Sequence, residues 1–232
     1  MRLANREGKL LNESISIVGG THGLGYGLAL RLAKAGRKVV IGSRKKSKAE
    51  KISQGIVEKL GEVSVKGFEN PKAVAKGEIV IVAVPFEAQE ETAIQIRDDL
   101  KPGCIVVDAA VPLTRTGKFF GILERLKTSS AERLRELLPE NVKVVSAFKN
   151  VSAAALEQID RKLECDIIVC GDYEEAKKEI FELVKDIEGA RPIDGGPLRN
   201  SRMVESLVAL LINLNIIYRS NQAGVRITGI TV

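Results

Sequence analysis

The sequence predicts an α/β fold: a doubly wound parallel sheet with a smaller C-terminal α/β region that ends in a long apolar helix. Three observations predict it. Short, apolar, β-branched runs recur through the first two thirds of the chain, helix-periodic stretches separate most of them, and the first run leads straight into a glycine-rich turn. Strands that are apolar on both faces need helices on both sides of the sheet, and right-handed βαβ units supply them.

The first strand covers Ile15 to Val18, and the turn from Gly19 to Gly25 passes it into a helix marked by Leu28, Leu30, Leu32 and Ala33. Further strands are expected at Val39 to Ile41, Val63 to Val65, Ile79 to Val84, Ile105 to Val107 and Val142 to Val145. After Ala147 come a helical stretch from about Ser152, a strand at Ile167 to Val169, a strongly periodic helix from Tyr173 to Glu188 and a short extended segment from Arg191 to Ile193. A long helix then runs from about Asn200 to Arg219. No Ser/Gly-rich linker interrupts this order. Residues 1–148 are therefore expected to form a dinucleotide-binding domain, and residues 149–232 a region packed directly on it that completes a cleft. The segment Met203 to Tyr218 is apolar on nearly every face, so it must be buried. A chain this small leaves part of such a helix uncovered, and a homodimer that hides a stripe containing some of Leu207, Leu211, Leu214 and Tyr218 is expected.

Composition excludes several classes. With 232 residues, 44% hydrophobic and 28% charged, 21 Gly and 7 Pro, the chain can bury a core without disulfides and is neither disordered nor collagenous. Its longest apolar runs, Val80 to Phe86 and Leu207 to Ile212, fall short of the roughly 18 residues of a membrane span. The first twelve residues carry Arg2, Arg6, Glu7 and Lys9 with no apolar segment behind them. They read as an N-terminal extension and not a signal peptide, which places the chain in the cytoplasm. Cys104, Cys165 and Cys170 lie in or beside strand-like runs with no histidine near, the pattern of buried thiols and not of a metal site or a disulfide framework. The single histidine excludes mechanisms that need two. A net charge of +6 is dispersed along the chain with no aromatic interleaving, which argues against nucleic acid and fits a polyanionic small-molecule ligand.

Gly19, Gly20, Thr21, His22, Gly23, Leu24 and Gly25 join the first strand to the first helix. Such a turn brings backbone close to a pyrophosphate, whose charge is stabilised by the free amides and dipole of the helix N-terminus. The spacing is G-x-x-G-x-G from Gly20. His22 stands where a middle glycine usually clears the pyrophosphate, so its side chain must point away or the turn must be reshaped. At the end of the second strand an NAD-binding fold carries an acidic residue, about 20 residues after the turn. This chain instead has Gly42, Ser43, Arg44, Lys45, Lys46, Ser47 and Lys48. A carboxylate there would repel a 2′-phosphate, whereas a guanidinium and a hydroxyl bind it through charge-assisted hydrogen bonds of roughly 1.5–3 kcal/mol each. The expected cofactor is NADP.

From Ile15 to about Ile217 the sequence resembles the archaeal NADP oxidoreductases that use the deazaflavin coenzyme F420. The resemblance is carried by Gly19-Gly20-Thr21 with Gly23 to Ala29, Gly42-Ser43-Arg44, Val84-Pro85, Val111-Pro112, Val169-Cys170-Gly171-Asp172, Arg191-Pro192, Gly196-Pro197-Leu198, and Asn200-Ser201-Arg202 with Val204-Glu205-Ser206. It implies a Rossmann-type NADP domain and hydride transfer between the nicotinamide and the deazaflavin, both reactive atoms belonging to cofactors, so that no catalytic acid or base is named. It further implies that Thr21, Ser43, Arg44 and Lys48 meet the 2′-phosphate and that Gly20, Thr21, His22, Gly23 and Leu24 surround the pyrophosphate. Val84, Pro85 and Phe86 would lie along the cofactor, with Pro112 and Ala153 near the nicotinamide. Lys149, Asn150, Asn200 and Ser201 are the residues expected at the second substrate. Lys149-Asn150-Val151-Ser152 departs from the His or Asn followed by Thr-Ile-Pro common in that family. An ammonium on the cleft wall would pair with an anionic deazaflavin, or with another acceptor such as a flavin, a ferric chelate or a small imine or carbonyl compound. A non-catalytic NADP-binding sensor is the alternative from outside the enzymes.

Overall fold

A computed structural model describes residues 13–123 and 126–231. The expected N-terminal extension lies outside the described residues. The elements run β1 (Ser14–Val18), α1 (Gly23–Lys34), β2 (Lys38–Ser43), α2 (Lys46–Leu60), β3 (Val65–Glu69), α3 (Asn70–Val74), β4 (Ile79–Val82), α4 (Gln89–Ile96), β5 (Ile105–Asp108), β6 (Leu113–Thr116) and β7 (Phe119–Ile122). They continue with α5 (Ser130–Leu137), β8 (Lys143–Ser146), α6 (Ala153–Glu157), β9 (Cys165–Gly171), α7 (Glu174–Lys185), β10 (Ala190–Asp194) and α8 (Ser201–Ile217).

Among the described residues, eight strands form one sheet in the order β10-β9-β8-β5-β4-β1-β2-β3. Alternation along the central strands divides the core in two. Ile15, Ile17, Ile79, Ile81 and Val107 face α1, α2 and α7 through Leu28, Leu32, Ile56, Ile180 and Leu183. Val80, Val82, Val106 and Val144 face α4 and α5 through Ala93, Ile96, Ala131 and Leu134. Each such aliphatic side chain taken fully out of water contributes roughly 1.5–3 kcal/mol. This is the doubly wound arrangement, and it puts the C-terminal ends of β1, β2 and β4 at one edge.

The sheet departs from the expected parallel pattern at its far side. β8 and β9 are antiparallel and pair only through Val145 and Ser146 with Gly171 and Cys170, while β10 runs parallel to β9. The connection after β8 carries only the short α6 and brings the chain back from the C-terminal edge, so most of β9 stands beyond the end of β8 as a wall. β3 begins where the expected strand Val63 to Val65 ends, because this edge strand alternates in burial along Val65, Lys66 and Gly67 and has no continuous apolar run.

The hairpin of β6 and β7 has no counterpart in the expected element list. Its two turn residues are Gly117, at φ +62, and Lys118, the glycine-first geometry of a tight hairpin turn. Asn213 of α8 holds it through both backbone groups of Phe120, accepting from its N–H and donating to its C=O at 2.8 Å each. α8 itself buries Val204, Glu205, Val208, Ala209 and Leu211 and leaves Met203, Leu210 and Ile217 exposed. Of the expected stripe, Tyr218 is exposed, Leu207 and Leu214 are half-buried, and Leu211 belongs to the core; the uncovered row runs at intervals of seven residues through Met203, Leu210 and Ile217. The three cysteines are free and buried, and burial pushes each thiol up to about 11.

Candidate functional site

The site begins at the turn after β1. Gly19 has φ +83, and a Cβ there would lie 2.6 Å from the Ala83 carbonyl oxygen at the end of β4. At Gly25 a Cβ would lie 2.5 Å from the carbonyl oxygen of Gly19, so the helix can pack onto its own turn only without one. α1 starts at Gly23 behind an extended His22 whose side chain does not cap it, and its first turn holds no acidic residue. The amide ends and dipole of α1 are left for an anion. His22 is exposed, with Nδ1 3.4 Å from Thr21 Oγ1, and lines the cleft beside the turn.

β2 delivers the cations. Its last residue is Ser43, whose Oγ accepts the Lys45 N–H at 3.4 Å, and α2 opens on Lys46, Ser47 and Lys48 with neither a capping side chain nor an acid. Cations in a first turn oppose the helix dipole. They stand here around a cleft of about 370 Å³ lined by Gly19, Thr21 and His22 from the turn, Ser43, Arg44, Lys45 and Lys48 from the end of β2, and Val84 and Pro85 after β4. Asn70, Ala88, Glu91, Thr92 and Gln95 form its other rim. Thr21, His22, Ser43, Arg44, Lys48, Val84 and Pro85 are thus brought together. Gly20, Gly23 and Leu24 belong to the same turn, and Leu24 packs against the core. Phe86 lies outside this lining, its ring under the Arg133 guanidinium at 5.8 Å. Lys45 was legible in the basic run; Asn70 and Gln95 carry no sequence signal of their own.

The residues expected at the second substrate behave differently. Phe148 adopts φ +60 and turns the chain inward, so the Lys149 side chain is fully enclosed. Its ammonium donates to Asp108 Oδ2 at 2.6 Å, to Glu205 Oε1 at 3.1 Å and to the Ala110 carbonyl. Lys149 does stand in the wall of the groove beside α6, but its ammonium is turned inward, and the expected pairing with an anionic ring is corrected: two carboxylates already hold it. Asp108 also accepts from Gln89 Nε2 at 2.6 Å and from the Ala110 N–H at 3.1 Å. Burial pushes the Glu205 carboxyl up, partly offset by Lys149.

Ser201 is buried in the same network, its Oγ 2.8 Å from Ser146 Oγ and 3.3 Å from Glu205 Oε1. Asn150 is also internal. It donates to the Asp166 carbonyl at 2.6 Å and accepts the Ile168 N–H at 3.2 Å, which fixes the free part of β9. These two side chains, like Lys149, build the wall and do not present a polar group to a ligand. Asn200 is half-buried and donates to the Gly195 carbonyl at 2.7 Å. Pro112 is buried, with its carbonyl taken by the Leu123 N–H at 2.9 Å.

Ala153 remains on the surface, at the start of α6. α6 is held from behind by Arg31, whose guanidinium donates to the carbonyls of Leu156 (2.9 Å), Ala155 (3.0 Å), Gln158 (2.7 Å) and Arg161 (2.7 Å). Between α6 and α8 runs a groove of about 260 Å³ lined by Lys149, Asn150, Val151, Ser152, Ala153 and Ala154 on one side and by Val208, Leu211 and Ile212 on the other, with Asn215, Asn221 and Ala223 completing it. Its lining is mainly apolar, suited to a flat ring system. The buried Asp108, Lys149 and Glu205 cluster was missed as a cluster, since only the fold brings residues so far apart in sequence together.

A family model described as NADP oxidoreductase, coenzyme F420-dependent, matches residues 14–112. The F420-dependent NADP reductase of Methanocaldococcus jannaschii is 46% identical over 94% of this chain and 99% of its own length. That of Methanothermobacter thermautotrophicus is 39% identical over 96% of this chain and 97% of its own. A crystal structure from Arthrobacter sp. FB24, described as an F420-dependent NADP reductase, superposes with a TM-score of 0.80 over 94% of this chain and 100% of that one, at 23% identity, and so shares the fold. Identity of this order along the whole length, through turn, strand end and last helix alike, places the chain in the family of coenzyme F420-dependent NADP oxidoreductases.

Proposed function

We propose that this protein transfers a hydride between NADP(H) and coenzyme F420. The observation that carries the reading is the cleft itself: Thr21, Ser43, Arg44 and Lys48 ring a space at the end of β2 where an NAD-binding fold would carry a carboxylate. Full-length similarity to the F420-dependent NADP reductases supplies the partner. On this reading the hydroxyls and cations hold the 2′-phosphate, the N-terminus of α1 takes the pyrophosphate, and Val84 and Pro85 guide the cofactor towards Ala153. The bound nicotinamide and deazaflavin supply the redox chemistry. Between them the protein orients two rings and keeps water out, which is what the groove of Val151, Ala153, Val208 and Leu211 is built to do.

Residues 1–148 act as the nucleotide-binding half, and residues 149–232 close the cleft. The exposed row Met203, Leu210 and Ile217 supports a homodimer joined through α8. No helix among the described residues is long and apolar enough to cross a membrane, and we place the reaction in the cytoplasm. The test is turnover of purified protein with NADPH and oxidised F420, run beside FMN and ferric citrate. Oxidation of NADPH that depends on F420 is expected. Turnover confined to FMN or ferric citrate would reassign the acceptor, and NADPH binding without turnover on any of them would leave a sensor.

A further inference from the structure

We infer that Asn70, paired with Gln95, reads the adenine ring of the bound dinucleotide and selects a 6-amino purine over a 6-oxo purine. The inference rests on the NADP reading above and adds a specificity residue to it. Asn70 is the first residue of α3, directly after β3, and is 3% exposed. Its Nδ2 donates to Gln95 Oε1 at 3.0 Å. Its Oδ1 is buried with no hydrogen-bond partner among the described residues. A buried amide oxygen left without a donor is destabilising, and an apolar side chain of the same size would avoid the cost.

Both residues border the cleft that holds Arg44 and Lys48. Once those cations hold the 2′-phosphate, the base on the same ribose has to lie within a few ångströms, along the rim formed by Asn70, Thr92 and Gln95. Space beneath is set by Gly42, where a Cβ would lie 3.0 Å from Asn70 Oδ1. A carboxamide carries an acceptor and a donor side by side, the complement of the exocyclic amine and N7 of adenine, whereas a 6-oxo purine shows two acceptors on that edge. Hypoxanthine and guanine place a carbonyl where that amine stands, setting acceptor against acceptor. Gln95 is exposed and covers Asn70, so swinging it aside costs a single neutral hydrogen bond and frees the Asn70 amide for the base.

The experiment measures affinity for NADPH, NADH and the NADPH analogue whose adenine is replaced by hypoxanthine. Unaltered protein is expected to bind NADPH about tenfold more tightly than the hypoxanthine analogue. Asn70→Leu should bring NADPH down to the level of the analogue and leave the analogue's affinity within about twofold, while Asn70→Asp, which keeps the acceptor, should retain the preference. Gln95→Ala, at an exposed position that does not threaten folding, removes the hydrogen bond that has to break and should keep the preference or raise it severalfold. Equal binding of NADPH and the analogue by unaltered protein overturns the inference, as does an equal loss for both ligands on Asn70→Leu. If NADPH fails to out-bind NADH, the NADP reading itself falls; if it out-binds NADH yet equals the analogue, only the role of Asn70 does.

Discussion

Lys149 carries the largest single energetic commitment near the site. Its ammonium, Asp108 and Glu205 are all closed off from solvent, so Lys149→Met would strand two buried carboxylates. Breaking a buried pair in this way costs about 3–5 kcal/mol, which lowers the melting temperature of a domain this size by about 10 °C. Thermal unfolding should show this loss, and the double variant Lys149→Met with Glu205→Leu should recover a large part of it. A lysine that merely faced a substrate would instead leave stability unchanged. Arg44 is the opposite case: it is exposed on the cleft lining, where its guanidinium can meet a ligand. Arg44→Ala should leave folding and NADH affinity intact and remove most of an NADPH preference of at least about tenfold, equivalent to about 1.4 kcal/mol. Comparing the two dissociation constants in the variant checks it.

At the scale of elements, the C-terminal segment is tied to β9 by one carboxylate. Asp166 is buried and takes Arg191 at 2.7 and 2.8 Å, Arg226 at 3.0 Å and the Ile227 N–H at 2.7 Å. Arg191 above all, with the Ile227 N–H and Arg226, draws its carboxyl down from 3.8 to about 2. A depressed folded value means that the unfolded chain binds the proton first. The contribution is therefore complete above about pH 4 and is lost as pH falls towards 2. It amounts to about 1–2 kcal/mol, since both guanidiniums are partly solvated. The protection factor of the Ile227 amide should drop between pH 5 and pH 2.5 (both about) in native protein, and Asp166→Asn should abolish the change. α8 makes a second prediction. Leu210→Glu in the exposed row should shift light scattering towards a species of half the mass, whereas Leu211→Glu in the buried row should unfold the protein. If Leu210→Glu leaves the mass unchanged, α8 is not the dimer contact.

For the molecule as a whole, legibility followed sequence distance. β1, β2, β4, β5 and the turn at Gly19 were readable because each declares itself within a few residues: continuous β-branched runs, then glycines. The Ser43 and Arg44 site was readable for the same reason, as a local absence of acid and presence of base. The hairpin of β6 and β7 escaped because Leu113, Thr114, Arg115 and Thr116 form a short polar alternation whose partner is α8, remote in sequence. The antiparallel direction of β9 is not written in its own apolar run, which reads the same for either direction and meets β8 only through Val145 and Ser146. The family resemblance puts Lys149, Asn150 and Ser201 at the substrate, whereas the positive φ at Phe148, the carboxylates of Asp108 and Glu205, the backbone of β9 and Ser146 decide where these side chains point.

The reading of this molecule as a device that aligns two rings is tested most directly by an isotope. NADPH carrying deuterium at the transferred position of nicotinamide C4 is incubated in ordinary water with oxidised F420 and stoichiometric protein, and the reduced coenzyme is examined by mass spectrometry and NMR. Direct transfer predicts one deuterium per molecule on the deazaflavin C5, bound to one face only. Reduced coenzyme that carries hydrogen from solvent at C5, or label spread over both faces, would contradict it.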